Sequence, residues 1–413
     1  MNASELDPFS SIKIPEYRHL IAGRFLFIMA LRMMGTIVGW WMYELTDEPF
    51  SIGLIGLAEV IPAVTTALYA GHVIDLSDKR RLLLKCVLFY SFCALILFLL
   101  STKFSYYHIK SHFIILFIYG IIFCTGIIRS FTGPTFSVMI SYIVPKYMLQ
   151  NATTWNQGSW LMASITGHTL GGFLIAFGGN TMALLSTVIS MIIAFFVLVQ
   201  LKPKPALNEK GEKKTWESIK EGIVLVFKTK ELLGVLSLDL FAVLFGGAVA
   251  MIPVYAHDIL KIGPQGFGWL NAAADIGAVC SVVLLTLFPL RNKQGKIMLW
   301  SVAGFGVCII IFGLSTIFWL SFIVLLVSGA LDGVSIVIRG AILQLKTPDH
   351  MRGRVLSVNS IFINSANELG QFESGLAAKL MGVVPSVVFG GCVTCLVTTV
   401  SWFKIPSLKK IRY

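Results

Sequence analysis

The sequence predicts an all-α membrane protein of twelve transmembrane helices in two pseudo-symmetric six-helix bundles, and three observations carry that prediction. Hydrophobic residues make up 56% of the 413 residues and charged residues only 13%, about half the charged share of an ordinary soluble domain. Mean hydropathy is +0.81, and apolar runs long enough to cross a bilayer recur from Leu20 to Phe403. The basic residues gather on alternate connections, as insertion into a membrane requires. A soluble fold of this size has too little interior to hide so much apolar surface. The bilayer is its solvent.

Apolar runs bounded by polar or Gly/Pro breaks give six spans at Leu20–Tyr43, Ile52–Ala70, Leu82–Leu100, Phe113–Tyr142, Thr154–Phe177 and Met182–Leu201. Six more follow at Leu232–Tyr255, Phe267–Leu290, Ile297–Ser315, Phe318–Leu345, Val355–Leu380 and Val384–Phe403. Lipid offers no partner for backbone N–H and C=O groups, so these runs must be helical. They are too long and too uniformly apolar for barrel strands. The chain then divides into an N-terminal tail (1–19), a first bundle (20–201), a linker (202–230), a second bundle (231–403) and a C-terminal tail (404–413). In the linker, Trp216, Ile219, Ile223 and Phe227 share one helical face, with Glu217, Lys220 and Glu221 elsewhere. That pattern predicts an amphipathic helix lying on the membrane surface. The first twenty residues are polar and lack a cleavage site after a short apolar core, so the first span reads as uncleaved.

The net charge of +12 would suggest nucleic acid in a soluble protein. Its placement says otherwise. With both termini placed in the cytoplasm, the outer connections hold only Lys103, Lys110, Lys261 and Lys379, while Arg32, Arg129 and Arg339 lie within spans. Every other one of the 33 basic residues falls on the inner side, so the charge is a topology signal and nucleic acid is excluded as a partner. The seven cysteines sit within or beside apolar segments; Cys392 and Cys395 form a lone C-x-x-C with no second pair and no nearby His. They read as small hydrophobes. No phosphate-binding G-x-x-x-x-G-K-[ST] loop, nucleophile elbow or H-E-x-x-H occurs, so an enzyme or ATP-driven pump is disfavoured and no cofactor or metal is expected.

The halves repeat weakly. Pro145, Met148 and Asn156 match Pro348, Met351 and Asn359 at an offset of 203, which also carries Arg129 onto Asp332. Two parallel six-helix repeats with a site at their interface near the midplane is a common transporter plan.

Several stretches resemble the major facilitator superfamily. Gly71-His-Val-Ile-Asp75-Leu-Ser-Asp-Lys79-Arg80-Arg81 resembles its loop between helices two and three. Leu238-Asp-Leu-Phe, Ile252-Pro-Val-Tyr-Ala, Gly263-Pro-Gln-Gly-Phe-Gly268 and Leu343-Gln-Leu-Lys-Thr-Pro-Asp-His-Met-Arg-Gly-Arg354 are similar to the twelve-helix efflux branch that includes the enterobactin exporter and macrolide efflux proteins, as is Ser365-Ala-Asn-Glu-Leu-Gly-Gln-Phe-Glu-Ser-Gly375. Where antiporters of the superfamily carry G-P-x-x-G-G in helix five, this chain has Gly167-His168-Thr-Leu-Gly171-Gly172. The resemblance implies a secondary transporter of the bacterial inner membrane, working as a monomer and coupling proton entry to export of a siderophore-like or amphipathic drug-like molecule. An uptake permease or lysolipid flippase on the same fold is the alternative, and a non-transporting membrane sensor a third.

The resemblance makes Gly71, Asp75, Lys79, Arg80 and Arg81 a gating loop, with Asp75 facing the positive N-terminal end of the helix after Arg352-Gly-Arg354. The plainer reading is a basic loop that only sets topology. Ionised groups inside spans are costly and usually functional. Helices one, four, seven and ten line the cavity in this superfamily, and carry Arg32, Arg129, Asp239, Asp332 and Arg339. Arg32 and Arg129 suit an anionic substrate, while Asp239 or Asp332 suits a transported proton. Internal ion pairs, such as Arg129 with Asp332, are the structural alternative. Glu59, Asp275, Glu368 and Glu373 are secondary candidates, better explained by pairing, for instance of Glu368 or Glu373 with Lys379. His168 is the one titratable group on helix five, and a lone His on an apolar face is more often a packing residue. Asp75→Asn is expected to insert and express normally yet lose transport; full activity in a vesicle assay would remove the gating role.

Overall fold

The computed structural model of the chain describes residues 8–204, 215–288, 290, 293–348 and 351–409. Their regular structure is helical throughout. Ten helices are long and apolar enough to cross a membrane, and the twelve spans emerge from them by two physical details. Leu149–Val199 is continuous in hydrogen bonding but turns at Gly179, whose φ of 70° is open to glycine at no steric cost, so it supplies two spans. Arg352–Met381, a further span, is less apolar than the others because it carries Asn359, Asn364, Asn367, Glu368, Gln371 and Glu373.

The spans are α1 (Pro15–Thr46), α2 (Pro49–Leu76), α3 (Lys79–Leu100), α4 (Ser111–Ile143), α5 and α6 (149–178 and 180–199). Then come α7 (Lys230–Phe245), α8 (Gly263–Leu287), α9 (Gln294–Leu314), α10 (Phe318–Lys346), α11 (Arg352–Met381) and α12 (Val383–Lys404). Two compact units result. One comprises Met1–Trp41 with Ile61–Glu212; the other comprises Met42–Val60 with Lys213–Tyr413. The division falls inside α1 and α2, so the hairpin joining them packs with the C-terminal helices.

Within the N-terminal unit, α5 lies against α1. A Cβ at Gly167 would collide with the Met29 carbonyl, so only glycine allows this approach. Residues ahead of α1 are tied down too. Phe9 packs on Trp155 with ring centroids 5.4 Å apart, and the Pro8 carbonyl accepts from Asn151 Nδ2 at 2.7 Å and Trp155 Nε1 at 2.9 Å. At the same end, Glu16 accepts from the Lys202 N–H at 3.0 Å and pairs with Lys204 at 3.1 Å, pinning the start of the linker.

Within the C-terminal unit, α8 and α10 interlock through Gly277, Gly329 and Gly333, where any Cβ would overlap an atom of the facing helix. Helix α7 stops at Gly246, gives way to a tight turn at Ala248–Met251 and resumes through a π-helical turn, Tyr255–Ile259. Gly370 of α11 sits against the Leu244 carbonyl that the break exposes, with a notional Cβ 2.9 Å away. The amphipathic helix appears at Thr215–Lys228. Val226 is fully buried against Leu232, Leu236, Leu343 and Val355, while Ile223 and Phe227 point outward. The chain end also contributes to a core: Leu408, in the short helix Pro406–Lys409, is buried among Val235, Met298 and Ile342. Gly329→Val is expected to cost about 3 kcal/mol, the upper end for overpacked sites, read as a lowered melting temperature in detergent. Gly120→Val, where nothing lies within 4 Å, should leave it unchanged.

Candidate translocation site

The polar groups of the N-terminal unit form a ladder along the α1–α5 seam. Near the termini, Arg24 Nη1 donates to Asn156 Oδ1, and the Arg24 guanidinium lies over the Phe136 ring at 5.6 Å. About two turns further on, Arg32 lies over the Trp160 ring at 5.0 Å. Beyond it, Thr36 Oγ and His168 Nδ1 are 2.7 Å apart. The close approach at Gly167 makes these meetings possible, because helices at ordinary separation would hold short side chains such as Thr36 apart. Arg129, on α4, is half-buried beside Ser130, whose hydroxyl meets Thr66 of α2 at 2.9 Å.

The loop between α2 and α3 is compact. Asp78 caps α3 by accepting from the Arg81 N–H at 2.7 Å. Lys79 is 3% exposed and donates to the Ser77 carbonyl at 3.1 Å, and its N–H reaches the Lys204 carbonyl. Arg80 donates to the Val199 carbonyl at 2.6 Å, a cation at a helix C-terminus. Arg81 is exposed, and Gly71 has nothing within 4 Å of a notional Cβ. The side chains of Asp75, Arg352 and Arg354 lie outside the described residues.

In the C-terminal unit, Asp239 of α7 and Arg339 of α10 form an ion pair with both side chains more than nine-tenths buried. Asp332 lies seven residues earlier on α10, on the same helical face. Of the secondary candidates, Glu368 is buried on α11 and accepts from Gln371 at 3.3 Å; Glu373 and Asp275 are half-buried on α11 and α8. Glu59 falls in the hairpin segment that packs with this unit.

That segment is clasped at the end of the helices remote from the termini. Tyr43 donates to the Asp258 carboxylate, which also meets His257 Nδ1 at 2.6 Å. Lys379 pairs with Glu48 at 2.7 Å, rather than with Glu368 or Glu373, and lies over the Phe50 ring at 4.7 Å. Gly53 and Gly56 of α2 abut the α11 backbone at Gly375 and at the Glu368 carbonyl. Sequence reasoning misses Tyr43, Glu48 and Asp258, because polar groups at loop ends read as solvated there. It also misses Arg24, which reads as a loop cation although it falls inside the first span and eight residues from Arg32.

A family model described as transmembrane secretion effector matches residues 8–411. The chain belongs to that family of the major facilitator superfamily. Its relatives include the enterobactin exporter EntS of Shigella flexneri, 23% identical over 96% of this chain and 93% of that one. An uncharacterized transporter of the superfamily, YfmI of Bacillus subtilis strain 168, is 22% identical over 80% of each chain. Among solved structures, the nucleoside transporter NupG aligns at TM-score 0.72 and 14% identity, covering 96% of this chain and all of that one. A D-xylose–proton symporter aligns at 0.71 and 16%, over 98% of this chain and all of that one. The fold is that of major facilitator transporters, and the protein is an integral membrane transporter of small molecules, not an enzyme.

Removing one member of the buried pair, as in Asp239→Asn or Arg339→Gln, is expected to cost about 3–5 kcal/mol by leaving its partner uncompensated. The double variant Asp239→Leu/Arg339→Met should recover most of that stability. Thermal unfolding in detergent checks both, and normal transport by the recovered double variant would make the pair purely structural.

Proposed function

We propose that this protein is a proton-coupled exporter of the bacterial inner membrane, carrying a siderophore-like or amphipathic drug-like molecule outward by alternating access of its two halves. The observation that carries the direction is the match to a secretion family along almost the whole chain, together with an exporter among its relatives at near-complete coverage. Both termini lie in the cytoplasm on this reading, supported by the uneven distribution of Lys and Arg over the connections. It functions as a monomer.

The carboxylates inside spans support proton coupling. Asp239 is engaged by Arg339, which leaves Asp332, on the same face of α10, as the group best suited to load and release a proton. The gating loop Gly71, Asp75, Lys79, Arg80 and Arg81 governs the cytoplasmic end, where the Lys79 N–H and the Arg80 side chain hold backbone carbonyls of neighbouring segments. The clasp at Tyr43, Glu48, Asp258 and Lys379 holds the external end. Energised inside-out vesicles provide the test. Export predicts accumulation of a catecholate siderophore or ethidium in the lumen, with lumen alkalinisation, and loss of both in Asp332→Asn. Accumulation only in right-side-out vesicles would establish uptake instead.

A further inference from the structure

The two units handle intramembrane charge differently. In the C-terminal unit, carboxylates and cations meet: Asp239 with Arg339, Glu48 with Lys379. In the N-terminal unit α1 carries Arg24 and Arg32, and from Arg18 to Val199 that unit's only carboxylates are Asp75 and Asp78, at the turn between α2 and α3. A guanidinium within the bilayer costs about 3 kcal/mol or more. Arg24 and Arg32 are supported by neutral groups: Asn156 and the Phe136 ring for one, the Trp160 ring for the other. Neutral dipoles and ring faces solvate a cation without cancelling its charge.

The geometry of Arg24 adds a direction. Its Nη1 is taken by Asn156, and one face lies on Phe136. Its Nε is buried and has no hydrogen-bond partner among the described residues. A buried unmet donor on a cation is costly, and the Nε edge of a guanidinium is one that a carboxylate grips with two parallel hydrogen bonds. Arg32 lies about 12 Å along the same helix, half-buried and likewise with a flat aromatic neighbour, Trp160.

From these observations we infer that Arg24 and Arg32 form a two-station anion site along α1, and that the cargo is an organic anion with a planar carboxylate on an aromatic or amphipathic body. The guanidinium fork selects the carboxylate and the half-buried Trp160 ring beside Arg32 selects the flat apolar body, while Phe136, 1% exposed, backs the Arg24 fork from the core. Asn156 is a positioning residue that turns the Arg24 fork toward the ligand. The inference rests on the transporter reading above but not on its direction, because binding needs neither a gradient nor a sealed vesicle.

Equilibrium binding of radiolabelled salicylate to the purified, detergent-solubilised protein tests it, with 2-naphthoate, salicylamide, ethidium and dihexanoylphosphatidylglycerol as competitors. Saturable salicylate binding is expected, displaced by 2-naphthoate and not by salicylamide or ethidium. Two salicylate stations are expected, and Arg24→Gln and Arg32→Gln should each weaken one of them by about tenfold or more, as loss of a charge-assisted contact implies. Arg24→Lys, which keeps the charge and loses the fork, should recover only part. If Arg24→Gln fails to elute as a single species, Arg32→Gln alone decides. No saturable binding of either aromatic acid, or equal affinity in the glutamine variants, overturns the inference. Displacement by dihexanoylphosphatidylglycerol at lower concentration than by 2-naphthoate assigns the site to a lipid headgroup and overturns it as well. Binding that passes these tests alongside failed vesicle export would sink the export reading and leave the anion site standing.

Discussion

The constraint on which the rest depends is that lipid solvates neither charge nor backbone polarity, so every such group at membrane depth must find its partner within the protein. Asp239 and Arg339 answer it by pairing, with both side chains shut away from solvent. Arg24 and Arg32 answer it with amide and aromatic neighbours that leave the positive charge in place. The first solution is self-contained. The second leaves a capacity for an anion.

Glycine decides where such meetings can happen. At Gly167, α5 reaches the backbone of α1, and the short side chain of Thr36 comes within hydrogen-bond reach of His168. At Gly277, Gly329 and Gly333, α8 and α10 interlock so closely that neither helix can shift without the other. At Gly53, Gly56 and Gly375, the α1–α2 hairpin sits on α11, which brings Glu48 to Lys379 at the rim. The break in α7 at Gly246 follows the same logic, since Gly370 stands against a carbonyl that the interruption exposes. Small residues thus set helix separation, and helix separation sets which polar groups are partners.

What can be read along the chain is whatever depends on composition and period. The membrane class, the helical spans and the helix of the linker follow from hydropathy and helical repeat alone, because each segment must meet lipid or water on its own terms. Even α11, the most polar span, is found that way once its neighbours are counted. Arg32, Asp239, Asp332 and Arg339 also stand out in sequence, since any ionised residue in an apolar run is conspicuous. Their partners do not. Asp239 and Arg339 are a hundred residues apart, and no pattern along the chain distinguishes that pairing from Arg129 with Asp332.

Tertiary structure alone decided the rest, because it depends on packing between segments distant in sequence. It put Met42–Val60 with the C-terminal helices, gave Lys379 to Glu48, and drew Leu408 from a nominal tail into a core. It also moved Arg24 from a topology marker to a half-buried cation over Phe136. Hydropathy reports what a residue costs to place in lipid; only the close approach of two helices determines what will share that cost.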